Sequence, residues 1–149
     1  MTKTLAGIVL FAALVMNATL LIFLAGVIRR VMNEMDGPAA QQFLVSLVRH
    51  SKKSPFMLTA LNIPFIGALP YFYFYGFADH WLLAGLAVWL VAGSIAKAIK
   101  LPVYKAVATL ETHDTVRLRD ALHRMNATNV FQAILNTAAV LVAAIQFAR

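Results

Sequence analysis

SIAKAIKLPVYKAVATLETHDTVRLRDALHRMNATNVFQAILN, residues 94–136, leaves one apolar run and enters another. It leaves through Lys97, Lys100 and Pro102, crosses a basic segment, and re-enters through Asn126, Asn129 and Asn136. A cationic passage between two apolar runs has the form of a connection between membrane helices, and the rest of the chain repeats that plan. The long apolar runs are residues 5–28, 56–77, 81–99 and 127–148. At 1.5 Å per residue the first reaches about 36 Å, enough for a hydrocarbon core of about 30 Å. With 61% hydrophobic residues in 149 and a mean hydropathy of +0.76, the chain reads as one all-α domain. The expected architecture is an integral membrane four-helix bundle with a short amphipathic cytoplasmic helix.

The first run follows Lys3 but is longer than the apolar region of a signal peptide. No small-x-small cleavage site precedes Arg29, so it is read as a retained helix that continues to near Met35. Asp36-Gly37-Pro38 breaks it. Residues 38–50 then form a short amphipathic helix, with Ala40, Phe43, Leu44, Leu47 and Val48 on one face and Gln41, Gln42, Ser46 and Arg49 elsewhere. The second run contains Asn62, Pro64 and Pro70, which predict a bent or locally widened helix. Its far end, Tyr71-Phe72-Tyr73-Phe74-Tyr75, fits either an interfacial aromatic belt or a wall against a flat ligand. The third run carries the small residues Ala84, Gly85, Ala87, Ala92, Gly93 and Ala96, which permit close helix approach. Pro102 is expected to end or kink it. Thr112 to Asp114 is a helix start by its capping residues. A single helix from Thr115 into the fourth run is compatible with the pattern.

Eleven of the 13 Lys and Arg residues fall in the first and third connections, 29–55 and 100–126, or at their edges. The positive-inside rule makes these connections cytoplasmic and puts both termini on the other side of the cell's inner membrane. The net charge of +7 is then a matter of topology. The lipid bilayer, not nucleic acid, is the expected partner.

The chain has no cysteine, which excludes disulfides, a thiolate nucleophile and cysteine-ligated zinc or iron–sulfur clusters. His50, His80, His113 and His123 lie at or beyond the ends of the apolar runs, which argues against an intramembrane bis-histidine haem. None has ligand spacing with a carboxylate, so no metal is expected. No acidic residue lies inside an apolar run, which argues against an ion-coupled transporter. Polar residues inside the runs are costly and therefore informative. Asn62, Trp89, Lys97 and Asn129 are the candidate lining of a ligand pocket in the cytoplasmic half of the bundle. The asparagines serve equally well as hydrogen-bonding glue between helices, and Lys97 can extend its ammonium to the interface.

Two segments, Met35-Asp36-Gly37 through Pro55-Phe56-Met57, and Lys100-Leu101-Pro102-Val103-Tyr104-Lys105 with Arg119 and Arg124-Met125-Asn126, resemble the anthrone-oxygenase-like family of small four-helix membrane proteins. Val103-Tyr104 stands where that family often has asparagine. The resemblance implies oxidation of a flat hydrophobic molecule by dioxygen without a bound cofactor. It makes His113, His123, Tyr104 or Lys100 the candidate base. The alternative is a non-catalytic structural or accessory membrane protein.

Overall fold

Hydrocarbon offers no water to bond backbone amides and carbonyls, so an apolar chain must satisfy them within its own helices. The structure, a computed structural model, describes residues 2–110 and 114–148. Its described residues form five helices and no strand: α1 (Lys3–Glu34), α2 (Gly37–Lys53), α3 (Pro55–Tyr75), α4 (His80–Thr109) and α5 (Thr115–Ala144), the last closing in a 3-10 turn, Ile145–Phe147. Helices α1, α3, α4 and α5 are long and apolar enough to cross a membrane. The 21 residues of α3 span about 32 Å, matching a hydrocarbon core, whereas the 32 residues of α1 and the 30 of α4 reach about 48 and 45 Å. The surplus lies at the cation-rich end. There Met32, Leu44, Val107, Leu118 and Leu122 close a small core around α2. A separate core of Leu10, Leu14, Tyr71, Leu82, Leu86 and Ala143 sits toward the opposite end.

The helix ends depart from the apolar runs in both directions, and α1 runs on as expected almost to Met35. Helix α1 continues past residue 28 to Glu34 through a π-helical turn, Leu24–Ile28, where the Arg29 N–H bonds to the Leu24 carbonyl. Helix α2 extends past residue 50 to Lys53, and its start is capped by Asp36 Oδ1, which accepts from the Ala39 N–H at 2.8 Å. Helix α3 ends at Tyr75 rather than 77, because Gly76 turns the chain at φ +71°. Helix α5 is one continuous rod from Thr115, capped by Asp114, and its α-geometry stops at Ala144 rather than 148. Thr112 and His113, part of the expected helix start, lie outside the described residues.

Pro102 neither ends α4 nor opens a loop; the helix passes through it to Thr109. Proline removes the donor to the Ala98 carbonyl and crowds that carbonyl with its ring; Ala98 and Pro102 both lie on the exposed side. Beyond them Val107 is fully buried. Gln41 Nε2 donates to the Val107 and Leu110 carbonyls at 2.7 and 2.8 Å and so caps the end of α4. That bonding explains why Gln41, placed by the sequence pattern away from the apolar face of α2, is buried.

Helix α3 likewise continues through Pro64 and Pro70. Pro64 has no N–H to give the Ala60 carbonyl four residues back. Asn17 on α1 supplies the replacement: its Nδ2 lies 3.2 Å from both the Ala60 and Leu61 carbonyls. Its Oδ1 accepts from Trp89 Nε1 at 3.0 Å, which brings in α4. Helices α4 and α5 form the most extensive pair in the bundle. Of the small residues on α4, Gly85, Ala92 and Ala96 are buried. A Cβ on Gly85 would sit 2.7 Å from both the Ala139 carbonyl oxygen and the Ala143 Cβ.

Asn17→Leu should lower stability by about 1–2 kcal/mol, read as the thermal unfolding midpoint in detergent. The loss should shrink in a Pro64→Ala background, where the substitution returns an N–H donor to the Ala60 carbonyl; equal losses in both backgrounds would refute the coupling. Gly85→Ala should destabilise by about 1–3 kcal/mol through overpacking. Gly93→Ala, whose Cβ meets nothing within 4 Å, should not lower the midpoint in the same assay.

Candidate functional site

At the cation-rich end the last turns of α1, the start of α2 and the first turns of α5 do not close on one another. The break at Asp36 turns the chain away from α1, and α5 descends past the gap. Arg119, His123 and Asn126 fall four and three residues apart, on one face of α5. Arg29 and Asn33 share a face of α1 by the same spacing. The gap between them is a cavity of about 920 Å³, with Asn33, Arg119, His123 and Asn126 among its polar lining and Met32, Met35 and Leu122 among its apolar lining. A second cavity, about 350 Å³, shares Asn33, His123 and Asn126 and adds Arg29 and Phe131.

Asn126 is the pivot. It is 6% exposed, and its Nδ2 donates to Asn33 Oδ1 at 3.3 Å. Its Oδ1 is buried with no hydrogen-bond partner. An amide oxygen withdrawn from water without a donor is costly, and here it belongs to a residue that lines both cavities. The arrangement offers an acceptor for a ligand hydroxyl, a guanidinium at Arg29 for a developing anion, and an imidazole at His123 that can exchange a proton. Apolar walls can hold a ring. Asp36 is engaged as the α2 cap. Asp120 pairs with Arg124 at 3.1 Å in an exposed contact, which contributes little to stability. Among the described residues no group of His, Asp or Glu is placed to hold a metal ion.

The residues expected to line a pocket do not gather there. Asn62 is exposed and donates back to the Leu58 carbonyl of its own helix at 2.7 Å. Trp89 bonds to Asn17, Lys97 is exposed, and Asn129 is half-buried. None of the four lines either cavity. Of the candidate bases, His123 lines both. Lys100 Nζ donates to Gln132 Oε1, and Tyr104 lies under the Lys52 ammonium, 5.1 Å from its ring centre. His113 lies outside the described residues. Sequence reasoning misses Arg29, Asn33 and Asn126 as members of a site. The spacing of Arg119, His123 and Asn126 along a helix is the available signal; the meeting with Asn33 is purely tertiary.

A second polar centre stands at the opposite end. Asp79, in the turn between α3 and α4, is buried. It accepts from the Tyr71 hydroxyl of α3, pairs with Lys3 of α1 at 3.0 Å, and accepts from Gln146 Nε2 at the end of α5 at 3.2 Å. One carboxylate therefore ties the four long helices together. Within the aromatic run, Tyr71 is buried for this bond while Tyr73 and Phe74 are 83% and 73% exposed. The exposed pair fits an interfacial belt. Burial pushes the Asp79 carboxyl upward, but the Tyr71 hydroxyl and the Lys3 ammonium outweigh it and leave it below its ordinary value. Comparison with protein-family models, curated proteins and solved structures found no match.

A carboxyl lowered in the folded state stabilises above its unfolded value, near 3.9, and loses that contribution as pH falls through the folded value. The unfolding midpoint of the wild type should therefore drop on acidification below about pH 4. Asp79→Asn should begin lower at neutral pH and lack this component of the drop. Parallel curves for the two proteins would remove Asp79 from the clasp.

Proposed function

We propose that this is a membrane protein that binds a flat hydrophobic molecule bearing an acidic hydroxyl or enol, at the cation-rich mouth between α1, α2 and α5. The observation that carries the reading is Asn126, a residue in the wall of a methionine-lined cavity of about 920 Å³ whose Oδ1 is buried without a partner. Rotation of the Asn126 amide toward the cavity would let a ligand hydroxyl give that oxygen its missing donor. Arg29 would face the negative charge of the enolate, and Met32 and Met35 are adaptable apolar surfaces for a ring. In the inner membrane, the location proposed here, the positive-inside rule faces this mouth to the cytoplasm and both termini outside.

The resemblance to anthrone oxygenases extends the proposal to a reaction. His123 removes a proton from the activated ring carbon, and the carbanion reacts with dioxygen to form a carbon–oxygen bond. The peroxide takes the proton back from His123. Loss of one water from the hydroperoxide then leaves the quinone carbonyl, so one dioxygen is consumed and one water released. A structural or accessory role is the second reading, favoured by Asn17 and Trp89, whose polar groups bond to one another and to α3.

With anthrone as substrate and protein in nanodiscs, wild type should accelerate dioxygen uptake over protein-free discs. His123→Gln, at an exposed position, should slow it about 10²-fold at an unchanged unfolding midpoint. No acceleration by wild type, or equal rates for the two proteins, would sink the oxygenase reading.

A further inference from the structure

We infer that the ligand of the mouth site carries an alkyl tail, and that it docks sideways from the bilayer with this tail lying in a furrow between α1 and α5. The inference rests on the reading of the mouth as a ligand site and adds the class of molecule that fits it.

The mouth is not a closed bowl. Its second cavity shares Val130 and Ile134 with a third, of about 530 Å³, which runs up the membrane-facing side of the bundle. The third is walled by Ile22, Ala25 and Gly26 of α1 and by Ala138 and Leu141 of α5. Its hydroxyl-bearing lining residue, Thr137, is turned back onto the Ala133 carbonyl at 2.9 Å. From Val130 to Leu141 the furrow follows α5 for about 16 Å. Polarity therefore changes along one continuous path. Arg29, Asn33, His123 and Asn126 stand at one end, and apolar surface at the other.

Gly26 makes the furrow more than a packing defect. Glycine in a membrane helix ordinarily lets a neighbour approach closely, as Gly85 does against α5. A Cβ on Gly26 would meet nothing within 4 Å. Gly26 and Ala25 lie in the π-helical turn Leu24–Ile28. A single wide turn is a feature often found at functional sites. Arg29, the residue directly after it, lines the second cavity. The same turn thus carries the wall of the furrow and delivers the cation of the mouth.

The occupant follows from the two environments. A molecule with no tail could use the mouth but would leave the furrow to bilayer chains. A flat acidic head with an alkyl chain matches both ends, and its chain stays in an apolar medium throughout docking. Such a ligand need never cross water.

The test uses hydroxynaphthoquinone with and without a dodecyl chain, and protein in nanodiscs. For each probe, affinity is expressed as the ratio of variant to wild type, so that partition into the lipid cancels. Gly26→Leu fills the furrow where there is room for a side chain. It should weaken the tailed probe about tenfold or more and leave the tail-less probe unchanged. Ala138→Leu, narrowing the furrow from α5, should repeat the pattern. Arg29→Gln should weaken both probes alike. If both probes bind and neither furrow variant separates them, the furrow only holds bilayer lipid and the inference is overturned while the mouth stands. If neither probe binds wild type, the mouth reading fails and the inference with it.

Discussion

A single missing hydrogen bond organises the membrane-embedded part of this protein. Pro64 leaves the Ala60 carbonyl without its helical donor, at a depth where no water can replace it. Asn17 meets that carbonyl from the neighbouring helix and takes the Trp89 N–H on its other side. A backbone requirement of α3 thereby sets the position of α1, and α1 in turn sets α4. The same logic recurs where Gln41 caps the end of α4. In lipid the Ala60 carbonyl needs a side chain from another helix, and at the end of α4 the small core around α2 makes the same demand of Gln41.

The two ends of the bundle are built differently. At one end the Asp79 carboxylate joins all four long helices, and apolar side chains pack behind it. At the other, helices longer than the hydrocarbon core project beyond it and splay around α2. Both oxygens of that carboxylate are already engaged by protein partners. The open end has an amide oxygen that still lacks a donor, a cation and an imidazole beside it, and a path into the lipid. Chemistry is possible at the second end because its polar groups are not all engaged.

Much of this was legible residue by residue. Asp36-Gly37-Pro38 marked the break after α1, the cations marked the shared end of the connections, and Gly85 belonged to a visible pattern of small residues. Pro102 did not end its helix: α4 runs through it to Thr109, with the orphaned Ala98 carbonyl on an exposed residue. The role of Asp79 was not legible, since two of its three partners, Lys3 and Gln146, come from the two ends of the chain. Asn62 and Asn17 looked alike in sequence. One bonds its own helix at the surface, and the other bridges three helices inside.

Composition and hydropathy determined that the chain forms membrane-length helices, because burying an unpaired backbone in lipid is prohibitive whatever the side chains do. The break residues and the distribution of cations determined how many helices there are and which connections share an end. Only the tertiary structure decided which polar side chains are engaged and which remain available. That depends on the rotation of each helix about its axis, and rotation is set by packing partners far away in the chain. Asn17 and Asn62 both lie inside apolar runs, and Asn126 stands at the entry to one. The packing made one a bridge, one a surface group and one a buried acceptor without a partner in the wall of a cavity.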